Sequence, residues 1–93
     1  MTENDTLALK SINEHRSEID CIDDRIAQLL NERATHSIAI RDLKPSANMQ
    51  LFDAQREEDI LARLSKNNKG PLFNDDIKEI YATILKVMKG ASS

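Results

Sequence analysis

The stretch from Thr6 to Lys44, TLALKSINEHRSEIDCIDDRIAQLLNERATHSIAIRDLK, decides how the chain folds, because neither Gly nor Pro interrupts the sequence before Pro45. At helical spacing, Leu9, Ile12, Ile19, Ile22, Ile26, Leu29 and Ile40 fall on one stripe, in steps of three, four or seven apart from one longer gap. Three basic residues break into that stripe. Arg16 follows Ile12 by four and precedes Ile19 by three, Arg33 follows Leu29 by four, and Lys44 follows Ile40 by four. A cation in a buried stripe needs a counter-anion. Nothing acidic recurs on the stripe at matching spacing, so the partner is a carboxylate of another helix or an anionic ligand.

With Asp5 or Thr6 as its cap, this pattern predicts one helix to Leu43 of roughly 38 residues, about 57 Å long at 1.5 Å per residue. A compact globule of 93 residues has a radius of gyration of about 12 Å and a diameter of about 32 Å, so such a helix projects well beyond it. The exposed part of the stripe then needs a second subunit, and a homodimer with shared cores is expected. The alternative is a helix broken midway without Gly or Pro.

Working outward, Pro45 ends the helix, and Pro45 to Asn48 reads as a polar connection whose Ser46 or Asn48 caps the next helix. That second helix is expected over about Met49 to Asn67, with Phe52, Ile60, Leu61 and Leu64 as its apolar face and Arg56 intruding on it. Asp53, Arg56 and Glu57, at i, i+3 and i+4, cluster on one side of that helix. Asn67-Asn68-Lys69-Gly70-Pro71 is the strongest breaker in the chain. Asn74, followed by Asp75 and Asp76, is a good cap for a third helix carrying Ile77, Ile80, Tyr81, Ile84, Leu85 and Met88. Lys86 and Lys89 lie in its last turn, Gly90 stops it, and Ala91 to Ser93 fray. The expectation is an all-α fold of one long and two medium helices, in a single domain over residues 1–93, forming an intertwined helical homodimer.

Composition narrows the class. A chain with 40% hydrophobic and 31% charged residues is an ordinary water-soluble one. Aromatics are few (Phe52, Phe73 and Tyr81), so the core is aliphatic. The net charge of -3, without a basic face bearing stacking aromatics, argues against nucleic acid as a partner. A lone Cys21 makes neither an internal disulfide nor a multi-cysteine zinc site, and it fits a reducing cytosol. Met1 to Asp5 is polar, and no run approaches the ~20 apolar residues of a membrane span, so a cytoplasmic protein is expected.

Four cations interrupting apolar faces, Arg16, Arg33, Lys44 and Arg56, with Asp53 and Glu57 beside the last, suit a small polyanion held between helices. Ion pairs with packed stems explain any one of these arginines, and the four together leave both readings open. Arg16 and Arg33 are 17 positions apart, roughly 25 Å along one helix, so both reach one small ligand only across subunits. In an antiparallel dimer Arg16 of one chain approaches the Arg33 and Lys44 region of the other, giving two equivalent sites. Other schemes lack their parts: no Cys/His pair at useful spacing, no glycine-rich phosphate loop and no HExxH is present, and His15 and His36 are isolated. Glu57 can act as a general acid or base, or simply belong to a charged helix surface. No metal or cofactor is implied.

Arg16 in a long first helix, Asn31-Glu32-Arg33, Lys44 eleven residues on, and Asp53-Ala54-Gln55-Arg56-Glu57 on the second helix together resemble the all-helical chorismate mutase family. The resemblance runs from about Leu7 to Ser92, and Asn67-Asn68-Lys69-Gly70-Pro71 looks most like the forms fused to or associated with DAHP synthase. It implies a three-helix subunit in an intertwined dimer that rearranges chorismate to prephenate, a sigmatropic reaction needing no nucleophile, acid, base or metal. The demands are a dianion held in a compact conformation and stabilised charge on the ether oxygen. Carried onto this sequence, Arg33 and the partner chain's equivalent of Arg16 hold the two carboxylates, and Lys44 contacts a carboxylate and the ether oxygen. Glu57, with backbone near Asp53, takes the ring hydroxyl, and Arg56 supports the site. Where the family often has a late glutamine reaching the ether oxygen, this chain has Ser92, and Met88 stands where relatives tend to carry a smaller residue.

Four readings are open: a chorismate mutase; an isochorismate pyruvate-lyase with a similar cationic site; a non-catalytic regulatory partner of DAHP synthase that binds chorismate or prephenate; and a plain helical dimerisation module.

Overall fold

The computed structural model describes residues 2–50 and 52–91, and divides into two units, residues 1–33 and 34–93. Three helices run in order, α1 over Glu3–Leu43, α2 over Ala54–Asn67 and α3 over Asn74–Ala91, with no strand among the described residues.

The first unit is the amino-terminal part of α1. Its start lies earlier than the expected cap at Asp5 or Thr6, because Thr2 and Asp5 form a reciprocal box. The Asp5 N–H donates to Thr2 Oγ1 at 3.2 Å and the Thr2 N–H donates to Asp5 Oδ2 at 3.2 Å, so two end-of-helix donors are satisfied at once. Hydrogen bonds from the Thr2 side chain and backbone hold the Asp5 carboxyl below its ordinary value. No residue of α1 is buried. Leu9, Ile12, Ile19, Ile22, Ile26 and Leu29 are all largely exposed, so the stripe exists as an exposed apolar face of the helix.

In the second unit, α1 ends at Leu43 as Pro45 dictates, but the chain coils for one more turn before it leaves. Met49 N–H donates to Lys44 O at 2.9 Å and Asn48 N–H to Pro45 O at 3.1 Å, with Asn48 left-handed at φ 57°. This 6→1 and 5→2 pair is a Schellman closure with Asn48 in the position that needs positive φ. Asn48 therefore closes the preceding turn and does not cap the next helix. The cap of α2 is Asp53, whose Oδ1 accepts from the Arg56 N–H at 3.0 Å, so α2 starts at Ala54 and not near Met49. Phe52 accordingly precedes the helix and is exposed, and does not form part of its inner face.

Helices α2 and α3 pack on each other around Ile60, Leu85 and Met88, the buried hydrophobic residues among those described. Leu61, Leu64, Ile77, Tyr81 and Ile84 flank them, half-buried. Met88 is thus a core residue, which accounts for a large side chain at that position. Asn68 ties the connecting loop together by donating to Leu72 O at 2.7 Å and to Asn74 Oδ1 at 3.0 Å, and by accepting from the Gly70 N–H at 3.1 Å. Gly70 sits at φ +76°, where a side chain is disfavoured although nothing lies within 4 Å of the place a Cβ would occupy. Asn74 is not the cap of α3. Its side chain serves the loop, and Phe73 caps with its carbonyl accepting from Ile77 N–H at 3.1 Å, while Asp76 Oδ2 accepts from the Phe73 N–H at 3.1 Å. Nor does Gly90 stop the helix, which continues to Ala91.

Candidate functional site

The carboxyl-terminal unit holds Lys44, Asp53, Arg56 and Glu57. Lys44 is half-buried just beyond α1, and its backbone is pinned: the N–H donates to Ile40 O at 2.9 Å and the carbonyl accepts from Ala47 and Met49. The side chains of Asp53 and Glu57 are engaged elsewhere than with one another or with the Arg56 guanidinium. The Asp53 carboxylate is committed to capping, meeting the Arg56 backbone rather than its guanidinium. Arg56 is exposed, so it does not intrude on a buried face; Ile60 occupies the buried position one turn on.

Glu57 faces α3. Its Oε2 lies 3.1 Å from Lys89 Nζ, and its side chain is 25% exposed against 53% for Lys89. The same ammonium stands 4.0 Å from the centroid of the Phe52 ring. Phe52, Glu57 and Lys89 thus meet where the start of α2 passes the end of α3. A half-exposed ion pair contributes about 1 kcal/mol or less to stability, so its interest lies in geometry. Sequence assigns Lys89 only to the favourable end of the helix dipole. Its partner depends on how α2 and α3 align, and no spacing within either helix encodes that.

In the amino-terminal unit Arg16 is exposed and Arg33 is half-buried, both on α1. Their separation of about 25 Å along the helix excludes joint contact with one small molecule from the same chain. Ser92 lies outside the described residues. Among those described, no group of three or more His, Cys, Asp or Glu residues is arranged to hold a metal ion, and no helix is long and apolar enough to cross a membrane.

An all-helical domain with cations strung along an unburied helix and a carboxylate at the head of the next is the class that fold and residues define. Comparison with known proteins sharpens it. The family model described as chorismate mutase type II matches residues 15–91. The bifunctional chorismate mutase/prephenate dehydratase of Neisseria gonorrhoeae is 38% identical over 71 residues, which is 76% of this chain and 19% of that protein. That of Aquifex aeolicus is 38% identical over 81 residues, 83% of this chain and 22% of its own length. The chain therefore spans about a fifth of the length of these curated relatives. Among solved structures, the form II chorismate mutase of Thermus thermophilus aligns with a TM-score of 0.81 at 31% identity, over 84% of this chain and 89% of that one. A conserved hypothetical protein of Pyrococcus furiosus aligns at 0.73 and 31%, covering 89% and 96%. This chain belongs to the chorismate mutase type II family. The narrower likeness to forms associated with DAHP synthase is not what these matches carry, since the relatives named are joined to prephenate dehydratase.

Proposed function

We propose that residues 1–93 act as one domain that rearranges chorismate to prephenate in a cytoplasmic homodimer with two shared sites. The observation that carries this is the extent of the family match, residues 15–91, which contains Arg16, Arg33, Lys44, Asp53, Arg56 and Glu57 together. The reaction breaks an ether C–O bond as a C–C bond forms and moves no proton, so binding and charge placement supply the catalysis. Arg33 and the Arg16 of a second chain hold the two carboxylates, Lys44 reaches a carboxylate and the ether oxygen, and Glu57 accepts from the ring hydroxyl. Asp53 orders the first turn of α2 that presents Glu57, and Arg56 supports the site. The uncovered stripe of α1, with no buried residue of its own, supports assembly through that helix.

Chorismate loss followed by absorbance, with wild type beside Arg33→Ala, tests the reading. Prephenate formed by wild type and a variant at least about 100-fold slower support it; equal rates refute it. Isochorismate supplied in place of chorismate checks for pyruvate release, the lyase activity.

A second reading is favoured by Ser92, which stands where the family often carries a glutamine. It makes the domain a weakly active or silent binder of chorismate or prephenate that regulates DAHP synthase. A rise in melting temperature with either compound, without turnover, together with co-purification of that enzyme, supports it. In the relatives named above the mutase is joined to prephenate dehydratase, so a dehydrating enzyme is the other partner to look for.

A further inference from the structure

We infer that Lys89 is a positioning residue for Glu57, fixing the carboxylate that accepts the substrate's ring hydroxyl. The inference rests on the site reading just given. In that reading an ionised Glu57 must lie against a dianion, and like charges at short range repel unless a cation stands between or beside them. Lys89 supplies that cation, with its Nζ 3.1 Å from Glu57 Oε2. With Oε2 engaged, Oε1 is the oxygen left to accept from a substrate hydroxyl.

Both ends of the pair start from fixed backbone. Glu57 N–H donates to Asp53 O at 3.3 Å inside the capped first turn of α2, and Lys89 follows Met88, which is 8% exposed in the α2–α3 core. The Phe52 ring, 4.0 Å from the ammonium, gives it a second, electrostatically favourable contact. A lysine held at more than one point is a better orienting group than a surface lysine held at one. Lys89 therefore adds to the cations of the site from the third helix, outside the Arg16, Arg33, Lys44 and Arg56 set.

The test is steady-state kinetics on chorismate with the full chain, comparing wild type, Lys89→Met, Lys89→Arg, Glu57→Gln, the Lys89→Met/Glu57→Gln double variant and Arg33→Ala, with melting curves for each. Misplacing a catalytic group by about an ångström costs up to about 100-fold, so Lys89→Met is expected to lose about 10- to 100-fold in kcat/KM while its melting temperature falls by no more than the few degrees that losing one exposed ion pair allows. Lys89→Arg restores most of the loss, and in the Glu57→Gln background Lys89→Met has an effect of less than about 2-fold, since both changes remove one function. Equal losses in both backgrounds overturn the inference, because Lys89 then acts independently of Glu57. A loss that tracks a lowered melting temperature overturns it as well. If Lys89→Met matches wild type while Arg33→Ala is at least about 100-fold slower, Lys89 is a surface ion pair and the mutase reading survives alone. A wild type without turnover removes both.

Discussion

Replacing Ile26 by glutamate puts a charge in the middle of the α1 stripe, between Ile22 and Leu29. Ile26 is 48% exposed in its own chain. Complete burial of an isoleucine is worth about 1.5–3 kcal/mol, so covering the exposed half is worth about 1 kcal/mol per chain and about 2 kcal/mol across a two-fold interface. Placing a carboxylate there without a partner costs at least about 2 kcal/mol more per copy. The total of about 6 kcal/mol corresponds to a dimer dissociation constant raised about 20,000-fold. Ile26→Val, which removes one methylene from each copy, gives a smaller step of about 0.5–1.5 kcal/mol per copy and makes the series graded. Sedimentation equilibrium over a wide concentration range reads both, with circular dichroism reporting that the helices persist. The reasoning is refuted if Ile26→Glu dimerises within about 3-fold of wild type, a change of under about 1 kcal/mol. It is equally refuted if wild type sediments as a fully helical monomer.

Asp53→Ala removes the cap of α2 and is expected to cost about 1 kcal/mol in chemical denaturation, with faster amide exchange at Arg56, whose N–H it frees. Ile60→Ala, at the most buried residue described (4% exposed), is expected to cost about 2–5 kcal/mol; a loss below about 1 kcal/mol would mean that α2 and α3 do not share this core. The folded Asp5 carboxyl is held below its ordinary value of 3.8, so its contribution to the first turn of α1 is complete above that pH and is lost as pH falls through the lowered value. Backbone chemical shifts of Glu3 to Thr6 moving toward coil in that acid window, ahead of global unfolding, check it, and Asp5→Asn abolishes the step.

The long helix was legible because its evidence is local and repeated: the absence of Gly and Pro up to Pro45, and an aliphatic residue at nearly every turn. Helix ends were less so, because neighbouring residues compete for the same job. Asn48 and Asp53 both make good caps. The one that adopted φ 57° went to closing the turn after α1, and only Asp53 remained to start α2. At the third helix Asn74 was drawn away by Asn68, and the capping fell to the Phe73 carbonyl and Asp76. Met49 and Phe52 extend the apolar spacing of α2 backwards without being helical, since an apolar residue at the right interval carries no information on whether its backbone is capped. For the candidate site, Arg16, Arg33 and Lys44 stood out because a cation on an apolar stripe is conspicuous in one dimension. Lys89 did not, because a lysine near a helix end is ordinary. What distinguishes it is a carboxylate 32 positions earlier in the chain, brought within 3.1 Å by the packing of α2 on α3.

If the proposed dimer is the working form, a helix of 41 residues with no buried side chain ties the activity to the abundance of the protein. If the active species needs two chains, its amount falls with the square of monomer concentration once that concentration drops below the dissociation constant. Halving the expression level would then remove about three quarters of the activity, where a self-sufficient monomer would lose about half. Weak substitutions along the α1 stripe, harmless in a cell that makes the protein in excess, would become visible when synthesis is slow. For such a chain the control of gene dosage and the strength of an apolar face are two settings of the same quantity.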